Sequence, residues 1–230
     1  MTPAASMQPT TPTTPSSAMI RTLGLVATVC GILLVLTYQN TLEAINANKR
    51  IALERAVFKV IPGATSMQAY VVSPSGLVPA ESAQGKAGIK FYAARDAAGN
   101  LKGLAAEAGA MGYADMVRVL YAYNPEKQAI DGFGVVSHRE TPGIGDKIIT
   151  DKHFQTNFQA LDARLNADAS GLANPIKVVK QGSKQHAWEI DAISGATVTS
   201  RAVAKGINES AQNWLPLLLP HIEKLKGEKS

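Results

Sequence analysis

The chain has a single cysteine, Cys30, among 230 residues. That excludes an internal disulfide framework and any zinc or iron–sulfur site built on several thiolates. Charge is scarce in one region only. Arg21 and Glu43 are the only charged residues in the first 48, which leaves 22 Lys/Arg and 17 Asp/Glu to the remaining 182. The net charge of +5 is spread among acids and forms no basic run, so no nucleic-acid partner is expected. Glycine (19) and proline (12) are near average abundance and 46% of residues are hydrophobic, which excludes a collagen-like or wholly disordered chain. A short, nearly uncharged segment therefore precedes a domain of ordinary composition, long enough for one core.

The uncharged segment divides in two. Residues 1–17 are a Pro/Thr/Ser tract without apolar periodicity, and a disordered tail is expected over residues 1–20. From Thr22 to Leu42 no charge occurs for 21 residues. A helix of that length rises about 1.5 Å per residue and matches the roughly 30 Å hydrocarbon core of a bilayer. We therefore expect a membrane helix over residues 21–42, with Arg21 at one interface, Tyr38 and Gln39 at the other, and lipid around it. The stretch Leu23–Leu36 also has the length of a signal-peptide core, but no small-residue cleavage site follows it. Val29 is too bulky to precede a lipidated Cys30. Orientation is left open by charge, because Arg21 on one side opposes Lys49 and Arg50 beyond the other.

Leu42, Ile45, Ala52, Ala56, Val57 and Val60 recur at helical spacing and predict a helical stalk over residues 43–61, stopped by Pro62-Gly63. Beyond it, over residues 62–230, the period changes to two. Strands are predicted at Gln68–Val72, Ile89–Ala94, Leu101–Glu107, Met116–Tyr123 and Ile130–Ser137, with turn signals at residues 74–76, 98–100 and 124–126. A helix is predicted over His153–Leu165, then strands at Ile176–Val179 and Ala187–Ile190. A last helix over Gly195–Leu215 would bury Val203, Ile207, Ala211, Trp214 and Leu218 on one face. The expected fold class is α+β: a single N-terminal membrane helix and stalk, followed by one mixed domain.

Chemistry concentrates where that last helix begins, in Asp191-Ala192-Ile193-Ser194-Gly195-Ala196-Thr197. Ser194 stands where an N-cap should, and the first amides of the helix, with its positive dipole end, would favour an anion. Gly195 and Ala196 are small enough to admit a phosphate to the backbone. Thr197 and Arg201 lie one turn apart, so a phosphate on the Thr197 hydroxyl could meet the Arg201 guanidinium. The same residues would also serve an ordinary capped helix, since hydroxyls are common at helix starts. No metal site is expected, because His153, His186 and His221 lack ligand spacing, and Gly143-Ile144-Gly145 lacks the third glycine and following helix of a dinucleotide fingerprint.

Two blocks carry a family resemblance. Asp191 to Thr197 resembles the D-G-x-[ST]-G-A-T motif of the covalent FMN-binding domain family, with Ala192 where glycine is frequent. His138-Arg139-Glu140-Thr141-Pro142-Gly143-Ile144-Gly145 is similar to that family's H-x-E-T-P-G-L-G segment, with Ile144 in place of leucine. The order of anchor, Ile61-Pro62-Gly63-Ala64 and the two blocks resembles the G subunits of Rnf ion-translocating electron transport complexes. The resemblance implies covalent FMN on Thr197 through a phosphoester, with Ser194, Gly195 and Ala196 shaping the phosphate end. It implies that a flavin transferase reads Asp191 as part of its motif, and that the Glu140-Thr141 turn contacts the flavin. It further implies a single-pass inner-membrane protein with a periplasmic domain, partnered by the other Rnf subunits, relaying electrons between ferredoxin and NAD without independent turnover. The C subunit of the sodium-pumping NADH:quinone oxidoreductase shares motif and anchor and is the alternative, as are a membrane-bound FMN-binding regulator and a flavin-free structural subunit.

Overall fold

The computed structural model describes residues 15–83 and 87–227. The expected tail falls largely on residues 1–14, outside the described residues. From Ser16 the chain is helical, and α1 runs without a break to Val60. It takes in residues 16–20, expected as tail, because Ala18, Met19 and Ile20 extend the apolar run with no helix breaker among them. Its apolar stretch is fully exposed and, by length and composition, long enough to cross a membrane. Thr22, Thr28, Thr37 and Thr41 each return their hydroxyl to the carbonyl four residues earlier, which satisfies these polar groups within the helix.

The chain divides into two compact units between Ile51 and Ala52. The last turns of α1 thus belong to the second unit. There Val57 and Val60 are buried and Leu53 and Ala56 partly so, at the spacing of one helix face. Gly63, at φ +83°, ends the helix in the left-handed conformation that glycine permits.

Seven strands follow the order β2-β1-β3-β4-β5-β6-β7, every pair antiparallel. They are β1 (Ser66–Ser73), β2 (Gly76–Pro79), β3 (Ile89–Arg95), β4 (Leu101–Met111), β5 (Met116–Asn124), β6 (Ala129–Ser137) and β7 (Leu161–Asp162). Two short helices, α2 (Lys147–Thr150) and α3 (Lys152–Thr156), separate β6 from β7. A parallel pair, β8 (Lys177–Val179) and β9 (Glu189–Asp191), leads into α4 (Thr197–Leu218), and α5 (Ile222–Gly227) closes the fold.

The sheet buries both faces. Against one lies α4, whose Val203, Ile207, Ala211, Trp214 and Leu218 are all buried as their spacing requires. Trp214 packs on Phe91 and Tyr123 and donates its Nε1–H to the Tyr121 hydroxyl at 2.6 Å. Against the other lies the end of α1, on Tyr92, Ala94, Ala105, Leu120 and Ala122. Small residues admit a helix backbone here. A Cβ on Gly132 of β6 would collide with the Val60 carbonyl oxygen. This is why residues 103–106 in β4 are buried continuously, whereas alternation returns toward Met111.

The helix predicted over His153–Leu165 is realised only in its first turn, as α3, which ends at Thr156, and β7 takes up part of the remainder. Apolar spacing over Phe154, Phe158, Leu161 and Leu165 is helical, but tertiary pairing overrides it. The Asn157 side chain donates to the Phe154 carbonyl and also pairs with the Asp191 backbone, accepting its N–H at 3.0 Å, and Leu161 pairs with Ile130 in the sheet. The short strand β2 begins at Gly76, the last residue of the 74–76 turn signal, and has no predicted counterpart.

Candidate functional site

The segment between β9 and α4 is a tight turn. The Ala196 N–H donates to the Ile193 carbonyl at 3.0 Å, and Gly195 holds φ +82°, the third position of a type II turn. Ser194 is not the N-cap that its position predicts. The capping residue is Ala196, without a side-chain cap, and Ser194 is exposed on the turn. Buried Ser200 organises the turn instead. Its hydroxyl accepts the Ile193 N–H at 3.1 Å and donates to the Ala196 carbonyl at 3.0 Å. Thr197 is the first residue of α4, where amides have no intrahelical acceptor.

Thr197 borders two cavities. One, of about 470 Å³, is lined by Gly195, Ala196 and Thr197 together with Glu140 and Thr141. Its rim is apolar, with Tyr113 from the β4–β5 hairpin tip, Ile144 and Val198. The other, of about 450 Å³, is lined by Thr197, Ser194 and Arg201 with the segment 178–181. Arg201 is exposed there.

Glu140 is the electrostatic centre of the first cavity. It is only 4% exposed. Its Oε1 accepts the Ala114 N–H at 3.0 Å, and its Oε2 accepts the Tyr113 N–H at 3.2 Å and the Thr199 hydroxyl at 2.5 Å. Burial pushes its pKa upward, but the Thr199 hydroxyl and the amides of Ala114, Tyr113 and Asp115 outweigh it and hold the carboxyl below its ordinary value. Gly145 and Gly112 make room for it. A Cβ on Gly145 would lie 2.6 Å from Glu140 Cβ, and one on Gly112 2.5 Å from Glu140 Oε1.

Asp191 lines neither cavity. Its Oδ1 accepts the N–H groups of Ser183 at 3.1 Å and Lys184 at 3.0 Å, and its Oδ2 lies 3.5 Å from His153 Nε2. The structure thus brings Glu140, Thr141, Gly195, Ala196 and Thr197 to one cavity and Ser194, Thr197 and Arg201 to the other. It sets Asp191 behind them, tying the 183–184 loop to the motif strand. Sequence reasoning missed Tyr113, which no motif marks, and left Thr199 and Ser200 without roles.

Known proteins resemble the chain in sequence and in fold. The FMN-binding domain family matches residues 112–212, which include the hairpin tip, both motif blocks and most of α4. The G subunit of the ion-translocating oxidoreductase complex of Vibrio vulnificus is 30% identical over 197 residues, covering 83% of this chain and 85% of that protein. The G subunit of the proton-translocating ferredoxin:NAD(+) oxidoreductase complex of Clostridium ljungdahlii is 36% identical over 101 residues, or 44% and 47% of the two chains. Among solved structures, Shewanella oneidensis NqrC superposes with a TM-score of 0.59 at 19% identity, covering 79% of this chain and all of that one. That likeness is one of fold. With a relative 30% identical along 85% of its own length and the FMN-binding domain match, the chain belongs to the family of G subunits of ion-translocating oxidoreductase complexes.

Proposed function

We propose that this protein is a membrane-anchored redox subunit that carries FMN as a phosphoester on Thr197 and relays electrons within an ion-translocating ferredoxin:NAD oxidoreductase complex. Family membership supports the redox role. The observation that carries the attachment is the position of Thr197. It opens a 22-residue helix, follows a left-handed glycine, and borders a cavity whose rim is apolar.

The residues present suit the cofactor. A cavity of about 470 Å³ lies within the roughly 300–1,000 Å³ of small-molecule sites. Its exposed apolar rim suits a flat heteroaromatic ring. The uncapped amides of the first turn of α4 suit the phosphate end, with the helix dipole adding to their attraction. Arg201, one turn along, adds a cation on the side of the second cavity. When bound, FMN supplies one- and two-electron redox chemistry. The chain's part is to fix the attachment point, keep a carboxylate in the cavity wall and present the cofactor to neighbouring subunits.

Maturation by a flavin transferase would use the Thr197 hydroxyl as acceptor, with Asp191 holding the turn-bearing strand in place. The anchor would be the apolar stretch of α1, with the domain on the periplasmic side of the inner membrane. The test is denaturing electrophoresis with in-gel flavin fluorescence on protein made together with its flavin transferase. A fluorescent band is expected, and its loss in Thr197→Ala. A dark wild-type band refutes covalent attachment; an equally bright mutant band refutes the site.

A further inference from the structure

Three large apolar side chains at the first cavity stand in solvent: Tyr113 at 77% exposure, Ile144 at 51% and Val198 at 47%. They come from three separate elements, namely the β4–β5 hairpin tip, the turn at residues 141–145 and the first turn of α4. Large apolar groups that converge on a concavity mark a ligand surface more readily than the same groups scattered singly. Among the described residues, Tyr113 is the only aromatic one that lines this cavity.

The three elements are fastened to one carboxylate. Glu140 precedes the Thr141 turn, takes the N–H groups of Tyr113 and Ala114 from the hairpin tip, and takes the Thr199 hydroxyl from α4. Gly112 and Gly145 press against it closely enough that neither position could hold a Cβ without displacement. Both oxygens already accept hydrogen bonds from the protein. Glu140 is thus better placed to hold the cavity wall than to bind a ligand directly.

We infer that Tyr113 lies against the isoalloxazine ring and that Glu140 is the positioning residue that sets the hairpin tip, and with it Tyr113, at that distance. The inference rests on the attachment of FMN at Thr197. A phenol ring suits the task because aromatic faces pack in offset stacks. It also leaves a spectroscopic mark. A phenol in contact with a photoexcited flavin gives it one electron and recovers that electron on recombination, so fluorescence is quenched with no net chemistry.

The test is time-resolved flavin fluorescence on the full chain, co-produced with its flavin transferase and purified in detergent, with the covalent flavin content of each variant measured. Tyr113→Phe and Tyr113→Leu are expected to retain flavin and to lengthen its lifetime several-fold. Glu140→Gln and Thr199→Val are expected to spread the lifetimes toward the longer value, and Glu140→Gln to raise the flavin midpoint potential as a nearby negative charge is removed. Flavin-loaded Tyr113 variants with the wild-type lifetime overturn the ring contact. Wild-type lifetimes in whichever of the Glu140 and Thr199 variants fold overturn the positioning role. A wild type without covalent flavin overturns the attachment on which both rest.

Discussion

Gly132→Ala tests whether the end of α1 is a fixed part of the domain. Gly132 sits on β6 opposite Ala122, beneath the last turn of α1. An added Cβ would overlap the Val60 carbonyl oxygen and lie 2.9 Å from both the Val60 carbonyl carbon and Ala122 Cβ. None of these atoms can rotate away, so either helix or strand must shift. Overpacking of this kind costs about 1–3 kcal/mol. Undocking instead would expose Val57 and Val60, at about 1.5–3 kcal/mol for each side chain. The strained but docked state is therefore cheaper. Replacing a strand glycine by alanine returns about 0.5–1 kcal/mol of backbone entropy. A net loss of up to about 2.5 kcal/mol follows. Gly134→Ala is the control, because its Cβ would meet only the Val60 Cγ1, a movable side-chain atom, at 3.1 Å. Urea denaturation of the detergent-solubilised chain measures the loss, and trypsin cleavage at Arg55 and Lys59 reports loosening of the helix end. Gly132→Ala as stable and as protease-resistant as Gly134→Ala would refute the docking argument.

Two further outcomes follow from the site. Because Glu140 is held below its ordinary pKa in the folded state, the stability it adds is complete above the unfolded value of about 4.3 and is lost as pH falls through the folded value. Urea midpoints measured from pH 7 to pH 3 should fall in the acid range, and less steeply in Glu140→Gln; equal slopes would exclude Glu140 as a source. Separately, protein loaded with FMN should exceed the flavin-free form in stability by about 0.5–2 kcal/mol, the value of a helix cap, since the phosphate would take up the uncapped amides of α4. Coincident melting curves for the two forms would count against phosphate binding there.

Much of the sheet can be read in the sequence because β3, β4, β5 and β6 each carry enough apolar residues between clear turn signals. Their predicted spans fall within the observed strands. The buried face of α4 is legible for the same reason, being local and periodic. What escapes is what depends on distant partners. The Asn157 amide pairs with the Asp191 backbone 34 residues away and ends a helix that its own neighbourhood favours. Glu140 meets Thr199 across 59 residues and the hairpin tip across 26 and 27, so its role as a clamp has no local signature. Tyr113 is invisible in the sequence for a related reason, as exposure beside a cavity is a property of the folded chain. The motif turn can be located from resemblance, but its cap cannot, because Ser194 satisfies the local pattern while Ser200, one turn into the helix, makes the bonds.

The displaced cap bears on how the site is built. A serine cap would spend a hydroxyl on the free amides at the start of α4, which is the usual way to stabilise a helix end. Here Ala196 caps without a side chain, and the start of α4 is secured by bonds that leave those amides unused. Ser200 ties the turn from inside through Ile193 and Ala196, and Thr199 ties the same helical turn to Glu140 through its hydroxyl. The helix start is thus held from the core side and the cavity wall, while its positive end is left without an acceptor of its own. A structure that needed only a stable helix would have no use for this division. It suits the phosphate proposed at Thr197, because the donors remain available and their geometry is already set.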